Sequence, residues 1–153
     1  MTTLLVIIYL AFISLGLPDS LLGSTWPAMR LDVHAPLSMA GILSMFISGC
    51  TIISSLNSTR LIHRFKTSRI TLVSVFLTAV ALMGYSFAPS VIWLFVLAIP
   101  LGLGAGAIDS GLNNFVALHY EARHMSWLHC FWGIGATLGP IIISGFLKAD
   151  NNW

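Results

Sequence analysis

Five long apolar runs, parted only by short polar joints, leave this chain few ways to fold. They cover residues 3–28, 36–61, 70–87, 91–118 and 127–147. A helix of roughly 20 mostly apolar residues crosses about 30 Å of hydrocarbon, and each run has about that length or more. The composition agrees. Of 153 residues 57% are hydrophobic and only 8% charged, whereas a soluble domain carries about 25% charged residues. So little charge could not coat a water-facing surface, and the solvent must be lipid. The expected fold class is an all-α, multi-pass membrane protein, with residues 1–153 forming one transmembrane helical domain. With the lipid bilayer as the surroundings, the net charge of +2 says nothing about nucleic acid, and none is expected as a partner.

The first run has no Lys or Arg before it and continues past Pro18 to Trp26, so it predicts a span and not a cleaved signal peptide. With the amino terminus in the cytoplasm, the inner joints hold Arg60, Arg64, Lys66, Arg69 and Arg123, and the outer ones hold only Arg30 and Lys148. The positive-inside rule favours that orientation and a place in the cell membrane. The sequon at Asn57 then faces inward, where glycosylation does not reach. After the fifth run the chain reads "KADNNW", where an outer loop would lead into a sixth span. The expectation is a truncated half that needs a carboxy-terminal half as partner.

Only two acids, Asp19 and Asp109, lie inside spans. A charge at mid-bilayer costs about 2.5–3.5 kcal/mol on insertion scales, so such residues face a bundle interior or a wet cavity. Their surroundings match: "GLPDSLLG" in the first span and "GAIDSGLN" in the fourth share Gly-x-x-Asp-Ser. Gly16, Asp19 and Gly23 share a helix face, as do Gly102, Gly106, Asp109 and Asn113. Small residues there let backbones approach, with the acid looking into the cleft. Matching segments in spans one and four are what inverted three-helix repeats give. The competing reading of Asp109 is a structural carboxyl hydrogen-bonded to a neighbour. Asp19 could likewise only compensate the backbone group freed by Pro18.

With "GAGAIDSGLNNF", "LGLPDSLLGSTWP" and "HCFWGIGATLGP" the chain resembles the amino-terminal half of a major facilitator superfamily transporter, and most of all the fucose permease-like sugar–proton symporters. The resemblance implies five helices of a six-helix half, a small polar solute such as a sugar held between two halves, and proton coupling. It assigns the proton to Asp109 and a site-shaping amide to Asn113. Departures exist. The joint Gly-x-x-x-Asp-Arg-x-Gly of the family has here Thr59 for its first Gly, His63 for its Asp and Lys66 for its second Gly, which leaves the latch attributed to that joint in question. Ala98 stands where many members carry an arginine, which speaks against a drug antiporter.

Further candidates come from the fifth span. His129 could bond solute or relay protons, or be a capped interior histidine. Trp132, like Trp26 and Trp127, could stack on a sugar or anchor at the interface. Gly102 with Gly106, and Gly135 with Gly139, form GxxxG pairs that predict close helix contacts. His63, His119 and His124 are expected in solvent at the inner surface. Cys50 and Cys130 form no motif and read as packing residues. "GLGAGA" imitates a dinucleotide fingerprint but lacks the soluble βαβ setting. An aspartyl protease would need two carboxylates sharing a proton and its Tyr-Asp and Gly-x-Gly-Asp signatures, which are absent. A serine enzyme would need a Gly-x-Ser-x-Gly elbow, also absent. No enzyme, cofactor or metal is expected. The rival to a transporter is a nonfunctional remnant or an assembly partner of another membrane chain.

Overall fold

The computed structural model describes residues 2–150. They form five helices: α1 Thr2–Asp32, α2 Met39–Phe65, α3 Thr67–Tyr85, α4 Val91–His119 and α5 Ala122–Asp150. All five are long and apolar enough to cross a membrane. The all-helical expectation holds, and the helices outrun the apolar stretches that announced them. Helix α5 starts five residues before the sequence reading, through "ARHMS", and α1 continues through Pro27 to Asp32. Charged residues at the ends of a span are good helix formers or are tolerated there, so hydrophobicity fades before the helix does.

The joint between α2 and α3 shows this best. One residue, Lys66, separates them, and its φ of 68° and ψ of 146° put it in a region that non-glycine residues rarely adopt. Its N–H donates to the Ile62 carbonyl at 2.9 Å, closing the end of α2. This is the position where the resembled pattern has its second glycine, which would take that conformation without a Cβ clash. Arg64 in the last turn of α2 places positive charge at the helix carboxy end, where the dipole favours it.

The chain divides into two compact units. One holds α1 up to Leu31 with the stretch from Val116 onward, and so pairs α1 with α5. Here glycines bring backbones together. A Cβ on Gly16 would strike the Trp132 carbonyl, one on Gly135 the Ile13 carbonyl, and one on Gly139 the Ser20 hydroxyl. Each helix thus lends small residues to the other's backbone, the device that packs helices in lipid. Nearer the start of α1, the Tyr9 ring stacks on Phe131 at 4.6 Å.

The second unit, Asp32–Phe115, holds α2, α3 and most of α4. Its polarity is inverted relative to a soluble bundle. On α2 the large side chains Met45, Ile52, Ile53 and Leu56 are exposed, while the buried residues are two serines, Ser54 and Ser58, and one large side chain, Leu43. Lipid is as apolar as leucine, so no hydrophobic force drives large side chains inward, and small hydroxyls take the contact instead. Helix α4 is the exception and the core: 44% of its most apolar stretch is buried, against 11–17% for the other four helices. Leu94, Ala98, Leu101, Ile108 and Leu112, spaced by three, four or seven, form its covered stripe.

Candidate functional site

In the second unit α4 is clasped on two sides by glycine contacts. A Cβ on Gly102 would lie 2.6 Å from both the Ile47 carbonyl oxygen and the Cys50 Cβ of α2. One on Gly106 would strike the Thr51 carbonyl, also on α2, and one on Gly104 would sit 2.8 Å from the Ser74 carbonyl of α3. The spacing Gly102–Gly104–Gly106 turns alternate residues of α4 toward its two neighbours. Hydroxyls then fix the register. Ser54 Oγ donates to the Leu103 carbonyl at 2.5 Å and Ser55 Oγ to the Gly106 carbonyl at 3.2 Å. Ser110 Oγ donates to that same Gly106 carbonyl at 2.6 Å. The turn of α4 that leads into Asp109 is therefore tied to α2 by two side-chain hydrogen bonds.

Asp109 itself is half-buried. Asn113, one turn on, donates from Nδ2 to Asp109 Oδ1 at 2.9 Å. The Asn113 carbonyl oxygen is buried and has no hydrogen-bond partner among the described residues. The pair offers one ionisable group and one unanswered acceptor on the best-covered helix.

In the first unit the structure brings together Asp19 and Trp132. The indole Nε1 donates to Asp19 Oδ2 at 3.0 Å, and both side chains are exposed on the α1–α5 pair. The group freed by Pro18 is a carbonyl, an acceptor, which an ionised carboxylate cannot satisfy. Pairing with an indole N–H is what Asp19 does instead. His129 is exposed and meets Phe12 edge-on at 6.4 Å, so it is not an interior histidine of this unit. Trp127 is exposed, but Trp26 is only 2% exposed, where an interface anchor would be open.

The two acids have similar local settings. Gly16 stands three residues before Asp19 and Gly106 three before Asp109, and each presses on a backbone carbonyl of a neighbouring helix. Each carboxylate accepts from a side-chain N–H. The match ends one turn later: Asn113 is half-buried, whereas a Cβ at the aligned Gly23 would meet nothing within 4 Å.

Sequence reasoning missed one cluster. His124, expected in solvent, is half-buried with Nδ1 at 2.7 Å from the Tyr9 hydroxyl, and it accepts that proton in its Nε2–H tautomer. Tyr120 lies edge-on to the same ring at 5.6 Å. Tyr9 is 115 residues away in sequence, so no spacing rule could have joined them. Among the described residues no group of three His, Cys, Asp or Glu side chains is placed to hold a metal.

No solved structure matches the chain. Among curated proteins it is similar to the glucose/mannose transporter GlcP of Bacillus subtilis (strain 168), 29% identical over 110 residues. The alignment covers 71% of this chain but 26% of that protein, so the chain matches only about a quarter of its relative's length. A match to the Major Facilitator Superfamily extends over residues 8–153, nearly the whole chain. Five apolar helices, a packed α4 carrying an acid, and a family match of that extent have one conclusion: the chain belongs to the major facilitator superfamily, whose members are multi-pass membrane transporters and not enzymes.

Proposed function

We propose that these residues belong to the amino-terminal half of a proton-coupled secondary transporter for a small polar solute, a hexose of the glucose or mannose kind. The observation that carries the reading is the Asp109–Asn113 pair: a half-buried carboxylate on α4, hydrogen-bonded to an amide whose oxygen is unanswered. An acid in such a place can take a proton from one side and release it on the other as its hydration changes, and the amide can meet a solute hydroxyl. The printed name of the similar bacterial protein supports the sugar. The like settings of Asp19 and Asp109 support inverted three-helix repeats, with Asp19, Trp132 and His129 as further solute contacts on the exposed face of the α1–α5 pair. A carboxy-terminal half would complete the cleft.

The test is uptake. The full-length transporter, reconstituted in proteoliposomes, should accumulate labelled glucose or mannose when the outside is made acidic, and a protonophore should abolish the accumulation. Failure of both hexoses under a proton gradient would favour the assembly-partner reading.

Orientation is proposed from charge: amino terminus and the α2–α3 and α4–α5 joints in the cytoplasm. Impermeant thiol reagents should label a cysteine placed at Lys66 or Arg123 only after the cell membrane is opened. A cysteine at His34 or Pro89 should label in intact cells. Labelling of the Lys66 position from outside would reverse the topology.

A further inference from the structure

Asn113 carries an atom that the described chain leaves unanswered. Its nitrogen donates to Asp109 Oδ1 at 2.9 Å, while its own Oδ1 is buried without a donor. A buried acceptor in that condition is rare in native proteins and calls for an explanation. Asp109 supplies one. An ionised carboxylate offers acceptors only, so the amide must turn its nitrogen toward it and its oxygen away. A protonated carboxyl gains an O–H donor. The amide can then rotate by half a turn about its last side-chain bond, so that its oxygen accepts from Asp109. The nitrogen, with two N–H donors, then stands where the oxygen stood.

We propose that Asn113 is a hydrogen-bond inverter: it presents an acceptor to the solute while Asp109 is charged and donors once Asp109 holds the proton. The proposal rests on Asp109 as the proton carrier and deepens that reading by naming how the proton is sensed. It also names a ligand chemistry. A hydroxyl can accept or donate and so meets both states, as an alcohol-bearing solute would. A solute oxygen that only accepts is met in the protonated state alone. Only the second kind of contact couples solute to proton, because a ligand shifts an equilibrium by its differential affinity alone. A solute that carries an acceptor-only oxygen, as the ring oxygen of a hexose is, gains affinity when Asp109 takes the proton. A hydroxyl at Asn113 keeps the solute held in both states.

The other titratable groups on these helices are few and lie away from Asp109: on α4 there is His119, ten residues on in the last turn. On α2, residues 39–59 carry one titratable group, Cys50, whose Cβ lies at Gly102, about two turns before Asp109. On α3, residues 70–84 carry none. Arg60, His63, Arg64, Lys66 and Arg69 cluster around the α2–α3 joint and are all exposed. Tyr85 is at the opposite end of α3.

The test is infrared difference spectroscopy between acidic and alkaline pH on the full-length transporter in lipid, grown with isotope-labelled asparagine. A side-chain amide carbonyl band should shift with the same midpoint as the appearance of the protonated carboxyl band. Asp109→Asn should remove both changes. Asn113→Ala should remove the amide change and keep the carboxyl change. Asn113→Ser serves as the second variant if the alanine protein does not fold, and should do the same. An amide band that stays put while Asp109 titrates overturns the inverter and leaves Asp109 as proton carrier. A carboxyl band that never appears overturns both.

Discussion

Asp109→Asn in the full-length transporter stops proton-driven accumulation, reducing uptake to what facilitated diffusion gives, while exchange of solute across the membrane without a gradient survives in part. An amide has nearly the shape of a carboxyl and can still meet Asn113, so packing on α4 is retained. The lost property is the ability to gain and release a proton, which no asparagine has. The tie of Ser54 and Ser55 to the preceding turn keeps the side chain at its level in the unit, so a changed rate reports chemistry and not displacement. Counterflow and gradient-driven uptake measured on the same proteoliposomes separate the two. If Asp109→Asn concentrates hexose as well as the parent does, the acid is a structural carboxyl and proton coupling must be sought elsewhere.

The second large effect is on stability, and two glycines of α5 give it an internal control. A Cβ at Gly135 would strike the Ile13 carbonyl of α1, and Ile13 Cα would be 3.1 Å away. The obstacle is backbone, so it cannot swing aside, and α1 and α5 must separate along their contact. Overpacking of this kind costs about 1–3 kcal/mol or more. Gly133, two residues earlier on the same helix, has nothing within 4 Å of the corresponding point. There an alanine only gains helix propensity, up to about 1 kcal/mol. In thermal unfolding of the protein in detergent, Gly135→Ala should therefore melt well below Gly133→Ala. Equal melting temperatures would mean that α1 and α5 do not cross at Gly135.

Five spans could be read from the sequence because lipid imposes a length and an apolarity that little else requires. Their ends could not, because a helix continues on backbone hydrogen bonds after the apolar residues stop. The eight-residue gap between the second and third runs is almost all helix, with Lys66 alone outside it. The site was legible in part for a similar reason. Glycines at spacing four imply a close neighbour, but not which one, and only the structure assigns Gly102 and Gly106 to α2 and Gly104 to α3. Asn113 beside Asp109 follows from helical spacing alone. The indole of Trp132 on Asp19 and the Tyr9–His124 bond join residues more than 110 positions apart, and local pattern holds no trace of them. Ser54 and Ser55 sit in a run that hydropathy reads only as a span, and their bonds to α4 carbonyls depend on how two helices face each other.

The joint at Lys66 has a mechanical consequence. A connection of one residue has no slack, and its φ of 68° is already far from where a lysine rests. Helices α2 and α3 cannot slide past each other by even a single turn without unwinding one of their ends. They behave as a stiff fork whose two prongs must swing together. The other link in that unit, residues 86–90 between α3 and α4, is longer and contains Pro89. Any relative travel between α4 and the fork, and hence any change in the level of Asp109 during transport, must be taken up there.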